Sequence, residues 1–330
     1  MASAFVTGGS GFIGGRLIRR LREEGLDVRA LARSERSAEA VRSLGAEPVS
    51  GDIASVEAMR AGAEGCEYAF HAAAKVEDWG TREEFERDNV GGTRNALRAA
   101  REAGVRRFVH VGTEAALLAG QPLVDANEDD PLRPDSPALY SSTKAKAEQA
   151  VRDANGDGFE TVVVRPRFVW GPGDPQIVPS LVAAVRGGQF RWVGGGHHRT
   201  STTHVDNTVE GLWLGATRGK PGGVYFVTDG DPVEFRDFVG KLLATQGVEA
   251  PDKDLPVGVA KAIAAGAEAA WRLLPLKGRP PLTRFTVWVS SLQCTIDITR
   301  ARDELGYEPV RSIDDGLAEL REAAAGDDRA

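Results

Sequence analysis

Residues 4–14 read Ala4-Phe5-Val6-Thr7-Gly8-Gly9-Ser10-Gly11-Phe12-Ile13-Gly14. A short apolar run suited to a buried strand enters a glycine turn. From Phe12 to about Arg22 apolar residues then recur at helical spacing. A strand that turns tightly into a helix leaves the N–H groups of the first helical turn unpaired and converging on one spot. Those donors and the positive helix end make a place for a pyrophosphate. Gly8 permits the turn, Gly11 lets phosphates approach the backbone, and Gly14 lets helix and strand pack closely. Phe12 and Ile13, at the helix start, join them as cofactor-contact candidates. The spacing Gly-x-x-Gly-x-x-Gly departs from the commoner Gly-x-Gly-x-x-Gly, so the reading depends on the residues downstream.

Downstream, two kinds of segment alternate. Apolar runs predict strands near 3–7, 26–32, 47–50, 67–71, 106–112 and 160–165. Amphipathic stretches predict helices near 12–24, 35–44, 55–61, 82–103 and 137–154. This rhythm implies an α/β fold with a doubly wound parallel sheet and helices on both faces. After Gly171 the rhythm breaks and Gly and Pro become dense. Residues 1–172 and about 200–219 are read as a dinucleotide-binding domain, and 173–199 with 220–330 as a smaller substrate lobe. The polar tail after Ala323 is expected to fray.

Composition narrows the partners. A net charge of −7 over 330 residues lacks the basic excess that nucleic acid would call for. Two cysteines, Cys66 and Cys294, lie too far apart in sequence for a disulfide framework or a zinc site, so no metal is expected. The stretch 255–276 is apolar but interrupted by Lys261, Glu268 and Arg272, which predicts a packed helix rather than an integral membrane segment. The first strand starts close to Met1, and a cytoplasmic protein is the expectation.

The second strand bears on the cofactor. A carboxylate at its end would bond the ribose 2′-OH of NAD. Here Ala32 is followed by Arg33, with Arg36 three further on, cations suited to a 2′-phosphate. NADP is therefore favoured, with NAD as the alternative; Arg16 is a weaker third cation. Asp52 and Ile53 are placed at the adenine, although Asp52 or Ser55 could instead cap the next helix. In His71-Ala72-Ala73-Ala74 the small residues Ala72 and Ala73 let a cofactor come close, and His71 is read as a packed strand residue. Asn89, in Asp88-Asn89-Val90-Gly91-Gly92, sits with two glycines where a helix is costly, which predicts a bend and a polar group behind the site.

Thr113 falls at the carboxyl end of the fifth strand, where open α/β sheets hold ligands. Tyr140 and Lys144 lie i, i+4 on one helical face. A phenol titrates near ~10, too high for acid–base work at neutral pH without nearby cations. With Lys144 beside it, Tyr140 could exchange a proton with a carbinol oxygen while hydride moves.

These motifs, in this order, resemble the extended short-chain dehydrogenase/reductase family, also called the epimerase/dehydratase superfamily. The resemblance continues through Arg165-Pro166, Trp170-Gly171-Pro172, His204-Val205-Asp206-Asn207 and Leu305-Gly306-Tyr307-x-Pro309 and spans essentially the whole chain. It implies a Rossmann domain, a Thr113–Tyr140–Lys144 triad supported by Asn89, Pro166 at the cofactor, and a homodimer packed through helices 82–103 and 137–154. Such a dimer would cover apolar faces otherwise hard to place.

Within that family the dehydratases carry Thr-Asp-Glu where this chain has Thr113-Glu114-Ala115, and Ala115 cannot serve as their base. The epimerases commonly place Asn after the sixth strand, where this chain has Phe168-Val169. Trp79-Gly80 and the run 281–291 look like the 3β-hydroxysteroid dehydrogenase branch, which includes sterol-carboxylate dehydrogenases and reductases of 3-keto fatty-acid-like substrates. The expected reaction interconverts a bulky apolar secondary alcohol and ketone, with Trp79, Phe168 and Arg199 at the substrate. Arg199 also matches a phosphate-binding position of sugar-nucleotide enzymes, so an epimerase or reductase with tightly held NAD is the alternative. A non-catalytic NADP-sensing protein is the third reading.

Overall fold

The computed structural model describes residues 2–274 and 276–327. Its centre is a seven-stranded parallel sheet. Five strands come from the first third of the chain: β1 (Ser3–Thr7), β2 (Asp27–Ala32), β3 (Glu47–Ser50), β4 (Tyr68–His71) and β5 (Arg107–Val111). Strands Glu160–Pro166 and Val224–Val227 complete it, in the order Val224–Val227, Glu160–Pro166, β5, β4, β1, β2, β3. The chain thus winds outward in both directions from β1, and the crevice for a ligand opens at the carboxyl ends of β1 and β4.

Alternation along each strand feeds two layers. Ala4 and Val6 face Leu17, Ile18 and Leu212 on one side. Phe5 faces Met59, Leu97 and Phe108 on the other. The helices start where their sequences say. Ser34 and Ser37 form a capping box for helix Glu35–Ser43, and Ser55 caps Val56–Ala63.

Four expectations need correction. Residues 224–227 were assigned to the smaller lobe, but they are the seventh strand of the main sheet, paired in parallel with Val163–Pro166. The helix read over 82–103 is three pieces: Arg82–Phe85, a π-helical turn Glu86–Gly91, and Gly92–Glu102. Most apolar residues of Gly92–Glu102 and Leu139–Asp153 are already covered within the chain: Ala96, Leu97, Ala99, Ala100, Ala145, Ala147 and Val151 are buried. The apolar face that argued for a dimer is therefore smaller than the sequence implied, with Leu139, Tyr140 and Ala150 partly exposed. Finally, helix Ile313–Asp327 runs past Ala323; the rest of the tail, 328–330, lies outside the described residues.

Helices Ile177–Arg186, Phe235–Thr245 and Ile313–Asp327 enclose a second core around Trp170, Phe238 and Leu242. Helix Val257–Leu273 buries Ala260, Ala264 and Glu268 along one stripe and leaves Val259, Ile263 and Leu273 exposed. Among the described residues no helix is long and apolar enough to cross a membrane.

Candidate active site

One cavity of about 1140 Å³ runs along the carboxyl edge of the sheet. At one end is the glycine turn. Gly8 has φ +73°, and a Cβ there would meet the Ala73 backbone nitrogen at 2.7 Å. A Cβ on Gly14 would lie 2.1 Å from the Gly8 carbonyl oxygen, so helix Phe12–Glu23 and the turn pack at a distance only glycine allows. That helix has no side-chain cap at Gly11, and its first N–H groups are free to meet a phosphate. These features fit a dinucleotide pyrophosphate.

Gly8, Gly11, Phe12, Ile13, Gly14, Arg33, Asp52, Ile53, Ala72, Ala73 and Pro166 all line the cavity. Asp52 accepts from the Ala54 N–H at 2.8 Å in a local turn. Arg36 is exposed and is not on the wall; Ser37 takes that place beside Arg33. Arg16 is turned away, donating to the Pro172 carbonyl and pairing with Asp206 at 3.6 Å.

Asn89 stands behind the wall, not on it. It is buried, its Oδ1 accepts from the Lys75 N–H at 2.7 Å, and its Nδ2 donates to the Lys75 carbonyl and the Thr143 hydroxyl, each at 3.1 Å. The π turn supplies the extra residue that points Asn89 at the loop after β4. Asn89 thus fastens the loop after β4 to helix Leu139–Asp153. His71 is a packed residue as read: Nδ1 meets the Thr7 hydroxyl at 2.7 Å and Nε2 the Thr93 hydroxyl at 3.1 Å. Burial, then the Lys144 charge, lower its pKa to about 3, so it is neutral.

Thr113, Tyr140 and Lys144 meet at the middle of the cavity. The Lys144 ammonium donates to the Val111 carbonyl at 2.7 Å and lies 3.5 Å from His110 Nε2. Burial lowers it to about 8, opposed by Glu148. The Tyr140 phenol is pushed up, first by burial and then by the Glu114 carboxylate, with the Thr113 hydroxyl opposing. The Tyr140 phenol is therefore protonated at neutral pH.

Two residues that sequence reasoning passed over complete this centre. Glu114 is 4% exposed and accepts from the Thr113 hydroxyl at 2.8 Å. Arg167 is 2% exposed and pairs with Glu114 at 3.3 Å. Both line the cavity. Glu114 lies three residues past the end of β5 and Arg167 directly after Glu160–Pro166, and it is the pairing of those two strands that brings the two charges together.

Beyond them the wall turns apolar, with Phe168, Val169, Ile177, Phe285 and Val289. Phe168 holds φ +46°, a left-handed conformation that costs a bulky residue energy and that here is fixed by edge contacts to Phe235 and Phe238. Trp79 and Arg199, expected at the substrate, are not on this wall. Trp79 sits under the Arg272 guanidinium, and Arg199 is exposed and donates to the Pro232 carbonyl. His204, Asp206 and Glu319 bring ligand-type atoms within 4.8 Å of one another. Arg16 and Arg311 pair with those carboxylates and supply the positive charge there.

Comparison with known proteins agrees with this architecture. Residues 5–257 match the model of the 3-beta hydroxysteroid dehydrogenase/isomerase family. The chain is 47% identical over 319 residues to the 4-hydroxy-2-methyl-3-oxo-4-farnesyl-3,4-dihydroquinoline-1-oxide ketoreductase of Stigmatella aurantiaca, covering 97% of this chain and 96% of that one. It is 37% identical over 330 residues to the 2-alkyl-3-oxoalkanoate reductase of Stenotrophomonas maltophilia (strain K279a), covering 97% and 98%. The crystal structure of gox2253 superposes with a TM-score of 0.79 at 28% identity over 98% of each chain. A seven-stranded Rossmann-type sheet and a family match over most of its length lead to one conclusion: the chain is an oxidoreductase of the extended short-chain dehydrogenase/reductase type and belongs to the 3-beta hydroxysteroid dehydrogenase/isomerase family.

Proposed function

We propose that the protein is an NADP-dependent ketoreductase acting on a bulky, largely apolar ketone. The observation that carries this reading is the Thr113–Tyr140 pair, set between the glycine cradle and the apolar wall of one cavity. The cofactor, when bound along Gly8, Gly11 and Gly14, supplies the hydride. Tyr140 gives its proton to the carbonyl oxygen, and the raised pKa of the phenol keeps that proton available at neutral pH. Thr113 rotates its hydroxyl from Glu114 to the same oxygen and holds it in place. Lys144, which lines the same cavity, would hold the nicotinamide ribose. Arg33 and Ser37 favour a 2′-phosphate at the far end.

The relatives support a ketone substrate. One is named for a 2-alkyl-3-oxoalkanoate and the other for a 3-oxo dihydroquinoline 1-oxide carrying a farnesyl chain. Both names combine an apolar hydrocarbon group, a ketone at position 3 and an oxygen borne at position 1, a carboxylate in one and an N-oxide in the other. The sugar-nucleotide alternative rested on Arg199, which the fold keeps on the surface.

The test is titration with NADPH and NADH, followed by turnover with steroid ketones, 3-oxo esters and sugar nucleotides. The reading expects tighter NADPH binding and oxidation of NADPH by an apolar ketone. Co-purification of tightly held NAD, with conversion of a sugar nucleotide and no net redox change, would overturn it.

A further inference from the structure

Arg167 is a guanidinium with five N–H donors, buried in the wall of the cavity beside the reacting centre. Its one bond to a carboxylate goes through Nη1 to Glu114, and its Nε has no partner. Glu114 answers its charge through one nitrogen, and the other groups around it are neutral. The Phe168 ring lies against it at 5.8 Å. The Cys294 thiol is pushed up by burial to about 12 and stays neutral. His198 is lowered to about 4, first by burial and then by Arg167 itself, and is neutral too. A buried donor left without a partner costs free energy, and a planar fork of donors is matched best by a carboxylate-like acceptor.

Position adds to chemistry. Arg167 follows Pro166 at the end of its strand, and Thr113 and Glu114 lie just past the end of the neighbouring one, β5. Glu114 links the two functions, since one carboxylate oxygen faces Arg167 and the other accepts from the Thr113 hydroxyl. An oxygen bound to Arg167 would therefore sit close to a ketone held between Thr113 and Tyr140. We propose that Arg167 is the recognition site for an oxyanion on the substrate, a carboxylate above all, borne one or two atoms from the carbon that is reduced. This deepens the ketoreductase reading and rests on it. The site selects 3-oxo acids over their esters, and the apolar wall from Phe168 to Val289 takes the chain beyond.

The experiment compares NADPH oxidation by 3-oxododecanoate, its methyl ester and 2-undecanone, using the full-length protein. The quantity read is the ratio of kcat/KM for acid over ester. Loss of a charged hydrogen-bonding partner predicts a wild-type ratio of about 30. Arg167→Met brings it to about 1, and Arg167→Lys, which keeps the charge and loses the fork, leaves it in between. A ratio unchanged in Arg167→Met, whatever the absolute loss, overturns the inference. Should Arg167→Met leave Glu114 unpaired and the protein unfolded, Glu114→Gln/Arg167→Met removes both charges, and the same ratio is read. Inhibition of the wild type needs no variant: dodecanoate is expected to compete more strongly than dodecanamide, and equal inhibition counts against the site. Reduction of the ester and the simple ketone without any acid preference refutes this inference and leaves the ketoreductase reading standing. No turnover of all three ketones removes both.

Discussion

At Tyr140 the protein does something the i, i+4 pairing with Lys144 does not foretell. Lysine next to a phenol is expected to favour phenolate, yet Lys144 spends its ammonium on the Val111 carbonyl, while burial and Glu114 push the phenol up. The pair was legible because both residues lie on one helix. Glu114 and Arg167 were not, because they come from strands more than fifty residues apart in sequence and meet only once the sheet has formed. Tyr140→Phe removes the proton donor and keeps the ring's contact with Phe285. Turnover should fall by about 1000-fold while NADPH affinity stays within about 2-fold, read by stopped-flow and fluorescence titration; near-wild-type turnover would exclude Tyr140 as the acid. Glu114→Gln tests the electrostatics with a defined sign. Removing a negative charge near the phenol makes its ionisation easier, so its pKa falls. Alcohol oxidation, which requires the phenolate, should then show its rising limb at lower pH, by about one unit. Ketone reduction, which requires the phenol, should lose activity earlier as pH rises. A limb that stays put or moves upward would mean that Glu114 does not face the phenol in the working enzyme.

The elements differ sharply in how far their sequences reveal them. β1 to β5 lie within a residue or two of their apolar runs: β1, β4 and β5 are buried on both faces, where a continuous apolar segment marks the strand, and the edge strand β3, only half-buried, is with β4 the shortest run of the five. Val224–Val227 is as apolar as these, but Pro221-Gly222-Gly223 before it and Gly230-Asp231-Pro232 after it made it look like lobe material. The two-residue strands at 169–170, 192–193 and 199–200 have no period to read. The broken helix lies between these cases. Asn89 and Gly91-Gly92 signalled a bend, and its form, a π turn, is set by the groups Asn89 must reach. Gly92 admits Ile53 where a Cβ would stand 2.7 Å from its Cδ1. Asn89 then bonds both backbone groups of Lys75 and the Thr143 hydroxyl. Asn89→Ala would leave the Lys75 N–H and carbonyl buried without those partners, for a loss of about 2–3 kcal/mol in stability. Urea denaturation measures this, and a loss under about 0.5 kcal/mol would show that water replaces the amide and that the π turn has some other cause.

Across the molecule, these contacts form a chain that joins the catalytic helix to the wall of the substrate space. Thr143 holds Asn89, Asn89 holds Lys75, and three residues on, Asp78 takes hydrogen bonds from Thr283 and Thr286 at 2.8 Å each, with Arg279 at 3.6 Å. Thr283 caps helix Arg284–Ser291, and Phe285 on that helix meets the Tyr140 ring edge-on at 5.5 Å. Asp78 therefore latches the apolar wall, Phe285 and Val289, to the loop that also carries Ala72 and Ala73. The cofactor cradle at Gly8 and Gly14 is built on β1 and helix Phe12–Glu23 and meets this loop only at its start, Ala72 and Ala73, far in sequence from the latch. Asp78→Ala should accordingly separate the two halves of the site. The KM for a bulky ketone is expected to rise about 10-fold, because the wall loses its fixed position. NADPH binding should change by less than about 2-fold. Asp78→Asn keeps an oxygen for the two threonine hydroxyls and loses only the attraction of Arg279, an exposed cation worth little, so its KM should return to within about 3-fold of wild type. Equal loss of ketone and NADPH binding in Asp78→Ala would show that the loop is loosened as a whole. Failure of Asp78→Asn to recover would shift the role from the hydroxyl bonds to the ion pair.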